Sequence, residues 1–194
     1  MTNTNTNTNT ETKTKTKTLN GIDLEKMQET IGNLQAQPTL AEFQFRSKGK
    51  WIDGGHNRSS VSDFYGAGQE HERSEPFVFD KGEPEVLLGN DSGANPVEYL
   101  LVALAGCTTT SLALHSAANG IEIESIETKL EGDIDLSGFL GLNPDVKPGY
   151  EGIRIKYLIK SDADEETLRK FIEMSPVFDT VCRPVPVSIE IEKV

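Results

Sequence analysis

The chain has 194 residues, with 31 acidic against 19 basic side chains and a net charge of −12. That length suits one domain with an appended tail. The acidic balance argues against a nucleic-acid partner and against a polybasic role at a membrane surface, both of which need a basic face. The longest apolar run, Tyr99 to Cys107, is far shorter than the roughly 20 residues of a membrane span, so no transmembrane helix is expected. No apolar segment near the start reads as a signal peptide. Two cysteines, Cys107 and Cys182, lie 75 positions apart, which is not the framework of a disulfide-stapled secreted scaffold. The expected compartment is the cytoplasm, where a cysteine pair is more often catalytic or redox-active than structural.

Residues 1–18 alternate Thr with Asn and then Lys, offer nothing apolar to bury, and read as a disordered tail. Residues 19–40 form an N-terminal helix and linker: Leu24, Met27, Ile31 and Leu34 recur at helical spacing, Asn20 could cap them, and Pro38 ends the segment. Residues 41–194 make the main domain. Its first part reads as a strand over 41–52, a turn at Asp53-Gly54-Gly55 and a second strand around Arg58 to Phe64. A polar loop is expected over 66–75 and a short strand at Phe77 to Phe79. Asn95-Pro96-Val97-Glu98 then opens a helix that runs to about Asn119, with an N-cap, a first-position proline and a capping-box acid. Tyr99 to Cys107 is apolar all round, so that helix is expected to be central and buried. From Ile126 to Leu136 the period switches to two, with Glu127, Lys129, Glu131 and Asp133 on the opposite face. Ile153 to Ile159 repeats that pattern. An amphipathic helix follows over 164–174, a helical turn after Ser175-Pro176, and a last strand through Val185, Val187, Ile189 and Ile191. Segregated helices and strands point to an α+β fold.

Cys107 lies about eleven residues into the long helix, beyond the first turn where the helix dipole acts, so the helix itself does not activate its thiol. A reactive Cys107 needs a nearby cation or hydrogen-bond donor; otherwise it is a small apolar core residue, the usual fate of a free cysteine. Cys182 precedes Arg183, which could stabilise a thiolate or simply face water. Glu98 fits a cap by spacing, and alternatively could orient a cation near Cys107. Arg58 is either a solvated arginine or the cation that folds over Cys107. His56, His71 and His115 share no ligand spacing with each other or with a cysteine, so no metal site is expected, and no phosphate loop or dinucleotide fingerprint implies a cofactor.

The segment Asn95-Pro96-Val97-Glu98-Tyr99-Leu100-Leu101-Val102-Ala103-Leu104-Ala105-Gly106-Cys107 resembles the signature helix of the OsmC/Ohr family of osmotically inducible and organic hydroperoxide resistance proteins. The Gly54-Gly55-x-x-Arg58 hairpin before it and the Cys182-x-Pro184 region after it stand in the same order, so the resemblance covers roughly residues 41–194. It implies an α+β domain whose antiparallel sheets, from both chains of an intertwined homodimer, wrap long central helices. It also implies reduction of organic hydroperoxides, and sometimes hydrogen peroxide. Cys107 would be the thiolate that becomes a sulfenic acid, and Cys182 the resolving cysteine. Arg58 would hold the thiolate and Glu98 would orient Arg58. A small dithiol or a lipoylated protein would reduce the disulfide. Leu100, Leu101 and Leu104 would wall a pocket suited to an alkyl hydroperoxide. Two rivals have a different chemistry: a non-catalytic dimer that binds an apolar small molecule, and a thiol redox sensor.

Overall fold

In the computed structural model, which describes residues 18–193, the elements start where side chains can satisfy the free amides of a first turn. The longest helix, α2 (Pro96–Ala118), begins as its sequence predicts: Asn95 Oδ1 accepts from the Val97 N–H at 2.9 Å, and Glu98 Oε2 accepts from the Asn95 N–H at 2.8 Å. At the far end Gly120 takes a φ of +73°, the left-handed conformation that glycine adopts without strain. α2 has 23 residues, with mean hydropathy 1.5 over its most apolar stretch. By length and composition it could cross a membrane, which the uninterrupted apolar run alone did not suggest. Here one face packs against β7 (Ser125–Asp133), α4 (Glu165–Glu173) and α5 (Pro176–Cys182).

The expectation of burial on every side is corrected: Leu100, Val102 and Leu114 of α2 are exposed, while Leu104, Thr108, Leu112 and Ser116 are buried. Leu112 centres the largest apolar cluster, with Leu168, Ile172, Ile126 and Ile159 around it. Among the described residues only five hydrophobic side chains are buried: Leu104, Leu112, Ala117, Leu168 and Ile172. Leu112 is 0% exposed, so Leu112→Ala is expected to cost about 2–5 kcal/mol by chemical denaturation, the loss typical of an emptied leucine site.

Ahead of α2, β1 (Thr18–Leu19) pairs with β2 (Ile22–Asp23), so Thr18 opposes Asp23 rather than belonging to the tail; the other tail positions, 1–17, lie outside the described residues. α1 (Leu24–Ala36) is capped by Asp23, whose Oδ1 accepts from the Glu25 and Lys26 N–H groups, and not by Asn20. Asn20 sits at φ +52° and spans a longer distance. It donates to the Ala113 and Ile121 carbonyls at 3.3 and 3.0 Å and accepts from the Ile123 N–H at 2.8 Å.

β3 (Gln44–Phe45), β4 (Lys48–Asp53), β5 (His56–Gly66) and β6 (Gln69–Lys81) form one antiparallel sheet. β5 is its centre, with β3 and β4 along one edge and β6 along the other. The expected polar loop over 66–75 is therefore mostly strand. Ala67 and Gly68, at φ +49° and +80°, make a two-residue hairpin turn of the kind whose central residues both lie at positive φ. The polar residues that follow cover an aromatic: His71 stacks on Phe64 at 4.7 Å, and the Arg73 guanidinium lies 5.2 Å from the same ring. The β5–β6 ladder breaks between Val61 and Asp63, opposite the stretch that holds Pro76, which has no amide hydrogen to donate.

β7 pairs with β8 (Gly152–Lys160) without interruption from Ser125↔Lys160 to Asp133↔Gly152, with Ile126, Thr128, Leu130 and Gly132 half-buried and the charged face solvated. Leu136, expected to prolong the strand, instead opens a one-turn helix, α3 (Leu136–Phe139), because Asp135 Oδ1 accepts from the Ser137 N–H and caps it. Asp164 and Ser175 cap α4 and α5 in the same way. The expected last strand is not formed within one chain. Residues 184–193 carry no regular structure, and Val185, Val187, Ile189 and Ile191 are 52–84% exposed. A strand needs a partner backbone, and among the described residues of one chain this segment has none.

Candidate active site

Cys107 is a free thiol, half-buried on α2, beside the helix face that the chain leaves open. Thr108, the next residue, is buried and turns its hydroxyl to the Leu104 carbonyl at 2.7 Å. Tyr157 of β8 is nearby: burial holds its phenol above the ordinary range, and the Thr108 hydroxyl partly offsets this. Ser111 donates to the Phe171 carbonyl at 2.7 Å and ties α2 to α4. Cys182 is also a free thiol, exposed at the end of α5, which packs on α2. Arg183 beside it is paired with Asp179, so its charge is already engaged.

The three leucines expected to wall one pocket are divided. Leu104 is 2% exposed inside the chain's own core, Leu101 is half-buried, and Leu100 is 39% exposed on the open face. A cavity of about 530 Å³ lies at the start of α2, lined by Pro84, Asp91, Gly93, Asn95, Val97 and Glu98, and does not reach Cys107. Among the described residues no three His, Cys, Asp or Glu side chains converge to hold a metal.

Arg58 and Glu98 are not brought together in one chain. Glu98 is committed to its cap. Arg58, on β5, is clamped by a residue the sequence did not point to: Asp80 of β6 accepts from Arg58 Nε at 2.8 Å and from Nη2 at 3.2 Å. His56 Nε2 lies 2.8 Å from the same Asp80 Oδ1. Hydrogen bonds from Arg58 and His56 hold the Asp80 carboxyl below the usual carboxylate range, Arg58 more than His56. The β5–β6 register places Arg58 directly opposite Asp80, and nothing in the local sequence around Asp80 announces it.

The Asp80 backbone is tied in turn to α2. The Tyr99 hydroxyl donates to the Asp80 carbonyl at 2.9 Å, and the Tyr99 ring packs edge-on against Phe79. The Gly93 backbone passes so close that a Cβ there would lie 2.2 Å from the Asp80 carbonyl oxygen. The hairpin bearing Arg58 is thus joined to the first turns of α2, two turns before Cys107 in the helix.

The family model of OsmC-like proteins matches residues 89–190. Among solved structures, an OsmC-like protein from Mycoplasma pneumoniae superposes with a TM-score of 0.52 at 17% identity, covering 72% of this chain and 87% of its own. A protein from Psychrobacter arcticus 273-4, described as a candidate osmotic stress induced and detoxification response protein, gives 0.51 at 15% identity, covering 71% and 88%. At such identities the likeness is one of fold. No curated protein matches the chain.

Proposed function

Because the chain belongs to the OsmC-like protein family, we propose that it is a cytoplasmic, homodimeric thiol peroxidase that reduces organic hydroperoxides. The observation that carries this reading is the placement of two free thiols, Cys107 and Cys182, on helices that pack against each other. The detoxification response named for the Psychrobacter arcticus protein is in keeping with it.

Three features support a second copy as partner. A compact monomer of 21.3 kDa exposes about 9,000 Å². This chain exposes 15380 Å². An upper allowance of about 2,700 Å² for residues 1–17, which lie outside the described residues, still leaves an excess of more than about 3,000 Å² per chain, or about 6,000 Å² for a pair, the size of a large obligate interface. The open face of α2 (Leu100, Val102, Leu114) and the unpaired C-terminal segment are apolar. Arg58, on the sheet tied to its own α2 by the Tyr99–Asp80 hydrogen bond near the start of that helix, would reach the Cys107 thiol of the other copy.

The reaction is balanced in three steps. The Cys107 thiolate attacks the terminal peroxide oxygen; the O–O bond breaks, the alcohol leaves with a proton, and Cys107 becomes a sulfenic acid. The Cys182 thiol attacks the Cys107 sulfur, forms the disulfide and releases water. A small dithiol, free or as a lipoyl group, then takes up the oxidation as its own disulfide and restores both thiols. Arg58 would stabilise the thiolate and the charge that develops on the leaving oxygen.

Free-thiol counting and intact mass after one equivalent of cumene hydroperoxide test this directly. The expected result is loss of both thiols within one chain, a mass lower by two hydrogens, and recovery with a dithiol. Unchanged thiols would leave the non-catalytic ligand-binding dimer as the better account. Slow oxidation without turnover by dithiols would favour a redox sensor.

A further inference from the structure

The geometry points to Asp80 as the positioning residue of this site: its carboxylate fixes the Arg58 guanidinium side-on, so that the free Nη1 end faces the reacting sulfur. This rests on the proposed peroxidase reading, and in particular on Arg58 serving Cys107. Asp80 occupies Nε and Nη2. Among the described residues Nη1 has no hydrogen-bond partner, and the Arg58 side chain is 53% exposed. A guanidinium gripped along one edge has lost most of its rotamer freedom, so little further ordering is needed when a thiolate or peroxide oxygen meets its other end.

Asp80 is itself held on three sides. His56 occupies its Oδ1, the β5 register sets Arg58 across from it, and its own carbonyl is locked to Tyr99 of α2. Glu98, the acid expected in this role, makes the cap of its own helix within one chain. Asp80 touches neither sulfur in this arrangement; it acts through Arg58.

The experiment measures the Cys107 thiol pKa from the pH dependence of iodoacetamide alkylation, with the labelled peptide identified by mass. The variants are Asp80→Asn, Asp80→Glu, Arg58→Ala and Arg58→Ala/Asp80→Asn in the full chain. Because Tyr99 grips the Asp80 main chain, Asp80→Asn retains that link to α2. Asp80→Asn is expected to raise the thiol pKa by about one unit, a roughly ten-fold loss of thiolate below the pKa. Asp80→Glu is expected to restore part of it, and the double variant to behave like Arg58→Ala alone. If Arg58→Ala shifts the pKa and Asp80→Asn does not, the assignment of Asp80 is overturned while the peroxidase reading stands. A shift from Asp80→Asn that persists in the Arg58→Ala background also overturns it, since the effect then does not pass through Arg58. If Arg58→Ala itself changes nothing, the premise that Arg58 serves Cys107 has failed, and the inference with it.

Discussion

Cys107→Ser is expected to bring hydroperoxide consumption to the rate without protein, and to leave Cys182 unoxidised after a stoichiometric dose of cumene hydroperoxide. Serine has nearly the shape of cysteine but no readily oxidised sulfur, and nothing else in the chain can form a sulfenic acid at that position. The site is half-buried rather than sealed, so the fold should change by only about 1 kcal/mol, within the usual range of a conservative substitution. Cys182→Ser should behave differently. Its thiol is at the end of a helix packed on α2, and removing it is expected to allow one turnover and then trap Cys107 as a sulfenic acid, detectable as a mass increase of one oxygen and by trapping with dimedone. If peroxide is consumed catalytically without Cys107, the sulfur chemistry assigned to this chain is wrong. If Cys182→Ser turns over as fast as the parent protein with a monothiol absent, another group resolves the sulfenic acid.

The second large effect is expected at the C-terminal segment. Val187 and Ile189 are 81% and 84% exposed in one copy, and they alternate with Ser188 and Glu190 in the pattern of a strand with one apolar face. Seating such side chains against a second copy contributes roughly 1.5–3 kcal/mol each. The double variant Val187→Asp/Ile189→Asp removes four of them per dimer, roughly 6–12 kcal/mol before any penalty for the buried charges. Light scattering should then report a single-chain mass where the parent protein is expected to give two chains, with helix content retained because the Leu112 cluster is untouched. Glu190→Gln, on the polar face, should leave the dimer intact. An unchanged dimer in the double variant would show that the segment lies outside the interface.

Much of this molecule follows from short-range chemistry. Asn95-Pro96-Val97-Glu98 is enough to start α2, because the capping bonds are made within four residues. The even alternation of Ile126 to Gly132 and of Ile153 to Ile159 is enough to make a half-solvated antiparallel pair. Asp164 and Ser175 mark helix starts for the same local reason. Other features depend on what lies opposite. The turn at Ala67–Gly68 needs positive φ at an alanine, which composition does not advertise, and so the polar residues after it conceal a strand. Asn20 has the sequence of a helix cap, but its amide reaches three backbone groups more than ninety residues away.

The α2 motif that carries Cys107, the two long strands beyond it and the α+β class are legible in the linear pattern, since each rests on periodicity or on bonds between near neighbours. Long-range packing sets where the Arg58 charge is held. Arg58 and Asp80 are 22 residues apart and meet because one particular β5–β6 register sets them face to face; a register one residue off would put them on opposite faces of the sheet. The fold also makes Glu98 a cap within one chain and leaves the C-terminal segment unpaired among the described residues, because a backbone hydrogen bond and a helix cap are claims on specific partners, and a linear pattern states the donor without stating which acceptor reaches it first.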